Sequence, residues 1–125
     1  MQEYNVIIGT HYDDDKAICN LVENHCKILN ISFDRKRIEN IVDSFLSGND
    51  PSKICFLLID GSSTIKGYLL AMLSEQLVSG EKIAQEIGFY CESPGKGPLL
   101  IRAYEDLMRE LKVQTLTLSS HGQTD

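Results

Sequence analysis

The apolar positions of this chain change their spacing several times, and each change marks the border of an element. Tyr4–Ile8 is a short apolar run of strand length. Ala17, Ile18, Leu21, Val22, His25 and Leu29 then recur at helical spacing, behind Asp13, Asp14 and Asp15, whose charge suits a helix start. A break at Asn30–Phe33 precedes a second helix capped by Asp34. Its stripe of Ile38, Ile41, Val42, Phe45 and Leu46 fits one helical face throughout. The run Ser47-Gly48-Asn49-Asp50-Pro51 stops it.

Strand spacing follows. Ile54–Asp60 is continuously apolar, Gly61-Ser62-Ser63 supplies a turn, and Ile65–Leu73 returns as the second arm of an antiparallel hairpin. Ile65, Leu69 and Leu73 lie on one face of the return strand, and Tyr68, Leu70 and Met72 on the other. A strand apolar on both faces is central and covered on both sides. Lys82–Cys91 is a further strand after the Ser79-Gly80 turn. Pro98 suits the first position of a third helix, with Leu100, Ala103, Tyr104, Leu107, Met108 and Leu111 as its buried stripe. Val113–Ser119 closes the pattern as a strand, and the right-handed crossover makes it parallel to the strand before the helix. The order is β-α-α-β-β-β-α-β, an α+β arrangement with a mostly antiparallel sheet, read as one domain over 1–125.

Composition narrows the function classes. With 42% hydrophobic and 24% charged residues the chain is an ordinary globular one. No apolar run reaches membrane-spanning length, and the opening MQEYNVIIGT has neither a basic start nor a small-residue cleavage site, so a cytoplasmic protein without membrane contact is expected. A net charge of −6 argues against a nucleic-acid partner and suits a cationic substrate such as an amine. Cys19, Cys26, Cys55 and Cys91 form no Cys-x-x-Cys pair, and His11, His25 and His121 are not spaced with them as zinc ligands, so no metal is expected. The three aspartates lack the alternation and glycine of a calcium loop.

The chemistry concentrates where the strand Lys82–Cys91 meets Glu92-Ser93-Pro94-Gly95-Lys96-Gly97 and the third helix. A glycine turn opening a helix points backbone amides at one spot, which can hold a phosphate. This segment, in this element order, resembles the GNAT superfamily of N-acetyltransferases, whose fourth strand leads into a Gln/Arg-x-x-Gly-x-Gly/Ala loop. The strand Ala84-Gln85-Glu86-Ile87-Gly88-Phe89-Tyr90 also looks like family versions that carry a Glu and then an aromatic pair. The element order spans the chain, but the motif covers only about fifteen residues. Some compact members of this texture are phage-encoded, which would make the compartment a host cytoplasm.

The resemblance implies acetyl-coenzyme A as cosubstrate, its pyrophosphate on the amides of Gly95, Lys96, Gly97, Leu99 and Leu100. It implies a thioester lying along Phe89, Tyr90 and Cys91, with Ser120 beside the pantetheine arm at the mouth between the last two strands. Glu86 would be the base that takes a proton from the amine, as against an ordinary strand residue paired to a lysine. The acceptor would enter near Leu29, Asn30 and Phe33, with His121 close by. Cys91 reads as a packing residue, because a cysteine nucleophile needs a base and an electropositive site.

Three departures accompany the likeness. Glu92 stands where the family has Gln or Arg, and a carboxylate there repels a pyrophosphate unless it points away. Pro98 has no N–H to offer an anion. The chain shown stops just past the fifth strand, short of the usual C-terminal helix and two strands, and no tyrosine follows Tyr104. An exposed last strand, Gln114–Ser120, would then recruit a second copy or another protein. Beside the acetyltransferase stands a second expectation, a catalytically inactive relative that modulates a partner protein. A nucleotide-binding α/β protein is disfavoured, since neither Gly-x-x-x-x-Gly-Lys-Ser/Thr nor Gly-x-Gly-x-x-Gly occurs.

Overall fold

A sheet of five strands in the order β1-β2-β3-β4-β5 divides the molecule, in a computed structural model that describes residues 3–10 and 14–118. The elements are β1 (Asn5–Ile8), α1 (Asp15–Leu29), α2 (Arg35–Leu46), β2 (Lys53–Ile59), β3 (Ile65–Glu75), β4 (Lys82–Cys91), α3 (Gly97–Glu110) and β5 (Thr115–Thr117). The first four strands pair antiparallel in chain order, and β5 joins β4 parallel, as the crossover through α3 requires. No helix among the described residues is long and apolar enough to cross a membrane. They also contain no group of three or more His, Cys, Asp or Glu fit to hold a metal.

Both faces of β3 are covered. Tyr68 and Leu70 join Cys55 and Leu57 beneath Ile18, Cys19 and Leu21 of α1 and Val42, Phe45 and Leu46 of α2. On the other face Leu69 and Ala71 join Phe56, Leu58 and Ala84 under Leu100, Tyr104 and Met108 of α3. Caps punctuate the helices where the sequence places them. Asp34 accepts a hydrogen bond from the Arg37 amide at 3.2 Å, and Asn30 ends α1 in the left-handed region at φ 56°.

Three expectations need correction. Ile65 packs with the α1–α2 layer rather than with Leu69 and Leu73, because Lys66 is an extra residue between the pairs Ile59–Ile65 and Leu58–Gly67 and shifts the alternation. Leu111 lies past the end of α3 and Met72 near the end of β3, and both are exposed. The last strand is three residues rather than seven. Ahead of it Gln114 adds one bond to each side of Lys82, donating its N–H at 3.0 Å and accepting through Oε1 at 2.6 Å. Asp13, Ser119, Ser120 and His121 lie outside the described residues.

The α1–α2 contact carries a pH-sensitive pair. Asp43 is pushed up to about 6, first by a hydrogen bond shared with Asp15, then by burial and by the charges of Asp15 and Glu39. Two ionised carboxylates cannot share such a bond, and Asp43 Oδ1 is shut from water with no hydrogen-bond partner among the described residues. A proton on Asp43 supplies the donor. The folded chain therefore holds this proton more tightly than the unfolded one, so its contribution is full below about pH 4 and is lost as pH rises through about 6. Asp43→Asn keeps a donor at every pH. In melting curves by circular dichroism, its advantage over the parent should grow between pH 4 and pH 7, to on the order of a degree or two for this half-buried, solvent-screened carboxyl. A constant difference across that range would dismiss the pair.

Candidate active site

Strand β4 carries two strands' worth of neighbours for only part of its length. Ile83, Ala84 and Gln85 pair with Thr115, Leu116 and Thr117 of β5. From Glu86 to Cys91 it keeps β3 on one side, and among the described residues no strand lies on the other. Strand pairing on that side ends there: Leu118, the last described residue, belongs to no strand. The Tyr104 hydroxyl donates to the Thr117 carbonyl at 3.0 Å, so α3 anchors the last residue of β5 where the pairing ends. Burial, and secondarily Glu86, pushes Tyr104 up to about 12, and the phenol stays protonated as a donor.

A bulge sits at the same place. The register with β3 runs from Leu70–Gly88 to Ala71–Glu86, which leaves Ile87 as an extra, exposed residue. Bulges bend a strand and re-aim its side chains. Glu86, opposite Ala71, is 2% exposed, whereas ionisable residues at such depth are uncommon. Its charge is felt by Tyr104 on the α3 face and, after burial and Cys26, by Tyr68 on the α1 face. Beyond the bulge Phe89 and Cys91 face α3, while Tyr90 faces α1 and stacks on His25 with ring centroids 4.7 Å apart. His25 lies one helical turn before Leu29, so the C-terminal end of α1 reaches the far half of β4. Asn30 is exposed, and Leu29 and Phe33 are half-buried.

The turn after β4 differs from expectation in two respects. Glu92 does not face the turn's amides. Lys66, the extra residue of β3, pairs with its carboxylate at 3.7 Å and accepts its N–H at 2.9 Å. The repulsion feared from this residue is thereby reduced. The amides themselves are less available than the motif implies. Lys96 N–H donates to the Ser93 carbonyl at 3.2 Å and Leu99 N–H to the Lys96 carbonyl at 3.0 Å. Pro98 has none, and Leu100 stands where helical bonding begins. Gly95 and Gly97 offer the amides with no acceptor among the described residues. The tightness has a cause. Gly95 adopts φ +76°, Tyr4 Oη donates to Ser93 Oγ at 3.5 Å, and Lys96 Nζ lies 5.0 Å over the Tyr4 ring, so β1 holds the turn closed. An exposed cation–π contact is worth roughly 0.5–1 kcal/mol, little enough for a diphosphate to draw Lys96 away.

Cys91 behaves as a packing residue. Its thiol donates to the Ser93 carbonyl at 3.2 Å, and burial pushes its pKa up, so no thiolate forms near neutral pH. The sequence reading did not place His25, Lys66 or Tyr4 at this site. Gly88, a glycine inside a strand, was the available signal for the bulge.

No protein-family model matches the chain, and no curated protein matches it in sequence. Solved structures match it in three dimensions. A GNAT family acetyltransferase from Staphylococcus aureus is 13% identical, with a TM-score of 0.68 over 99% of this chain and 92% of that one. An aminoglycoside acetyltransferase from an uncultured soil metagenomic sample, solved with sisomicin, is 17% identical, with a TM-score of 0.69 over 99% and 78%. The ribosomal-protein-alanine N-acetyltransferase of Brucella melitensis is 16% identical, with a TM-score of 0.70 over 93% and 79%. The chain has the fold of the GNAT acetyltransferases.

Proposed function

We propose that this chain is an acetyl-coenzyme A-dependent N-acetyltransferase that moves an acetyl group directly to an amine. The observation that supports the reading is the end of β4–β5 pairing at Gln85, among the described residues, with the buried carboxylate of Glu86 next along β4. The Gly95–Gly97 turn lies at the other end of the segment 86–91. Acetyl-coenzyme A supplies the activated acyl group when bound. The Gly95 and Gly97 N–H groups, joined by Lys96 once it leaves Tyr4, would hold the diphosphate; these residues fit the cosubstrate, though with fewer donors than the motif promised. An N–H of that β4 segment would polarise the thioester oxygen. Glu86 would take a proton from the ammonium group directly or through a water, the freed amine nitrogen would attack, the C–N bond would form as the C–S bond breaks, and a second N–H proton would pass to the departing coenzyme A thiolate. The excess of acidic residues favours a cationic acceptor, a small molecule or a protein amine. The acceptor's side is the His25–Phe33 end of α1. Four free cysteines suit a reducing cytoplasm.

A second reading has its own support. The closed turn, with Lys96 and Leu99 amides already engaged, suits a GNAT-fold protein that binds a partner and does not turn over. Thermal-shift titration separates the two. Acetyl-coenzyme A and free coenzyme A at millimolar concentration should each raise the melting temperature by several degrees, since a ligand at one hundred times its Kd adds about 2.7 kcal/mol. If neither ligand moves it, acyl transfer is abandoned for the partner-binding reading.

A further inference from the structure

The end of the sheet away from the candidate site carries a knob and a hole. The hairpin joining β3 to β4 projects beyond the pair Glu75–Lys82, and at its tip Leu77 is 99% and Val78 95% exposed. The tip is well built. Gln76 N–H donates to the Glu81 carbonyl at 2.9 Å, Gly80 N–H to the Gln76 carbonyl at 2.9 Å, and Glu81 N–H to Ser79 Oγ at 3.2 Å. Two adjacent aliphatic side chains are thus held almost entirely in water, at a cost that burial elsewhere would recover. At the root of the same hairpin lies an open groove of about 420 Å³, between the end of α3 and the start of β2. Leu73, Leu111, Val113 and Pro51 give it apolar walls.

We infer that this end of the molecule is a two-fold interface in which each copy lays its Leu77–Val78 tip into the other's groove. A second copy is the occupant for two reasons. Knob and hole occur together on one chain, so a single two-fold axis at the hairpin root satisfies both at once and closes the assembly. The charges also complement each other. Glu81 flanks the tip and Lys112 sits between Leu111 and Val113 of the groove wall, and neither makes an ion pair among the described residues, while Glu75 and Lys82, cross-strand neighbours at the hairpin root, both line the groove. An antiparallel exchange brings Glu81 of each copy toward Lys112 of the other. This surface is separate from the edge of β5 and leaves the far half of β4 open.

The test is mass by light scattering on a gel-filtration column at micromolar concentration, for the parent and for Leu77→Asp/Val78→Asp. The parent should run at twice the 14.0 kDa chain mass. The double variant should run at one chain mass, with an unchanged circular dichroism spectrum because both positions are solvated in the single chain. A third protein, Lys112→Glu, should weaken the parent dimer in low salt without abolishing it. A parent of one chain mass overturns the inference. So does a double variant that keeps the dimer, which would assign association to another surface such as the β5 edge.

Discussion

Replacing Glu86 by glutamine lowers kcat for an amine acceptor by on the order of 10²–10⁴-fold while the melting-temperature shift with acetyl-coenzyme A is retained. Glutamine matches the carboxylate in shape, so the packing of a side chain only 2% exposed is kept, and the proposed thioester contact, a β4 backbone N–H, would be untouched. What disappears is the group able to accept a proton as the C–N bond forms. The loss should therefore fall on kcat, with KM for the cosubstrate little changed. Alanine is the weaker probe, since it also opens a cavity at a buried position and confounds chemistry with packing. Undiminished kcat in the glutamine variant would remove Glu86 as the base and leave it a structural residue of the bulge.

Most of the fold is legible in the sequence because periodicity reports burial directly. The bounds of β4, the Asp34 cap and the two-sided cover of β3 follow from side-chain spacing and local capping chemistry. The misplacement of Ile65 and the unforeseen bulge at Ile87 have a common source in register, which no single segment encodes. The extra residues Lys66 and Ile87 change which face their neighbours present, and each depends on how two strands settle against one another. The site was legible to a lesser degree for the same reason. Gly95 and Gly97 mark a turn, but the contacts of its Ser93 and Lys96 side chains are with Tyr4, distant in sequence and adjacent in space. The carboxylate of Glu92, alarming in the motif, is moderated by Lys66 from the neighbouring strand. Local sequence identifies donors and acceptors; tertiary contacts decide which of them are already engaged.

That dependence on neighbouring strands predicts a large effect at Gly67. A Cβ there would stand 2.9 Å from the Tyr90 carbonyl oxygen, 3.1 Å from Leu100 Cδ1 and 3.2 Å from Cys91 Cα. Two of those three atoms are backbone of β4 and cannot rotate aside, so relief requires β3 and β4 to separate. Gly67→Ala should cost roughly 2–3 kcal/mol, seen as a fall in melting temperature of about 5–10 °C. Gly97→Ala is the contrasting case, because its nearest neighbour is Phe89 Cζ at 3.1 Å, the far end of a side chain that can give way. It should melt within a few degrees of the parent. The displaced segment in Gly67→Ala is Tyr90–Cys91, which lies in the half of β4 proposed to meet the cosubstrate, so the variant should also lose much of its stabilisation by acetyl-coenzyme A. If Gly67→Ala melts like the parent, then β3 and β4 tolerate a wider spacing at Cys91, and the far half of β4 is not the rigid wall that the proposed chemistry needs.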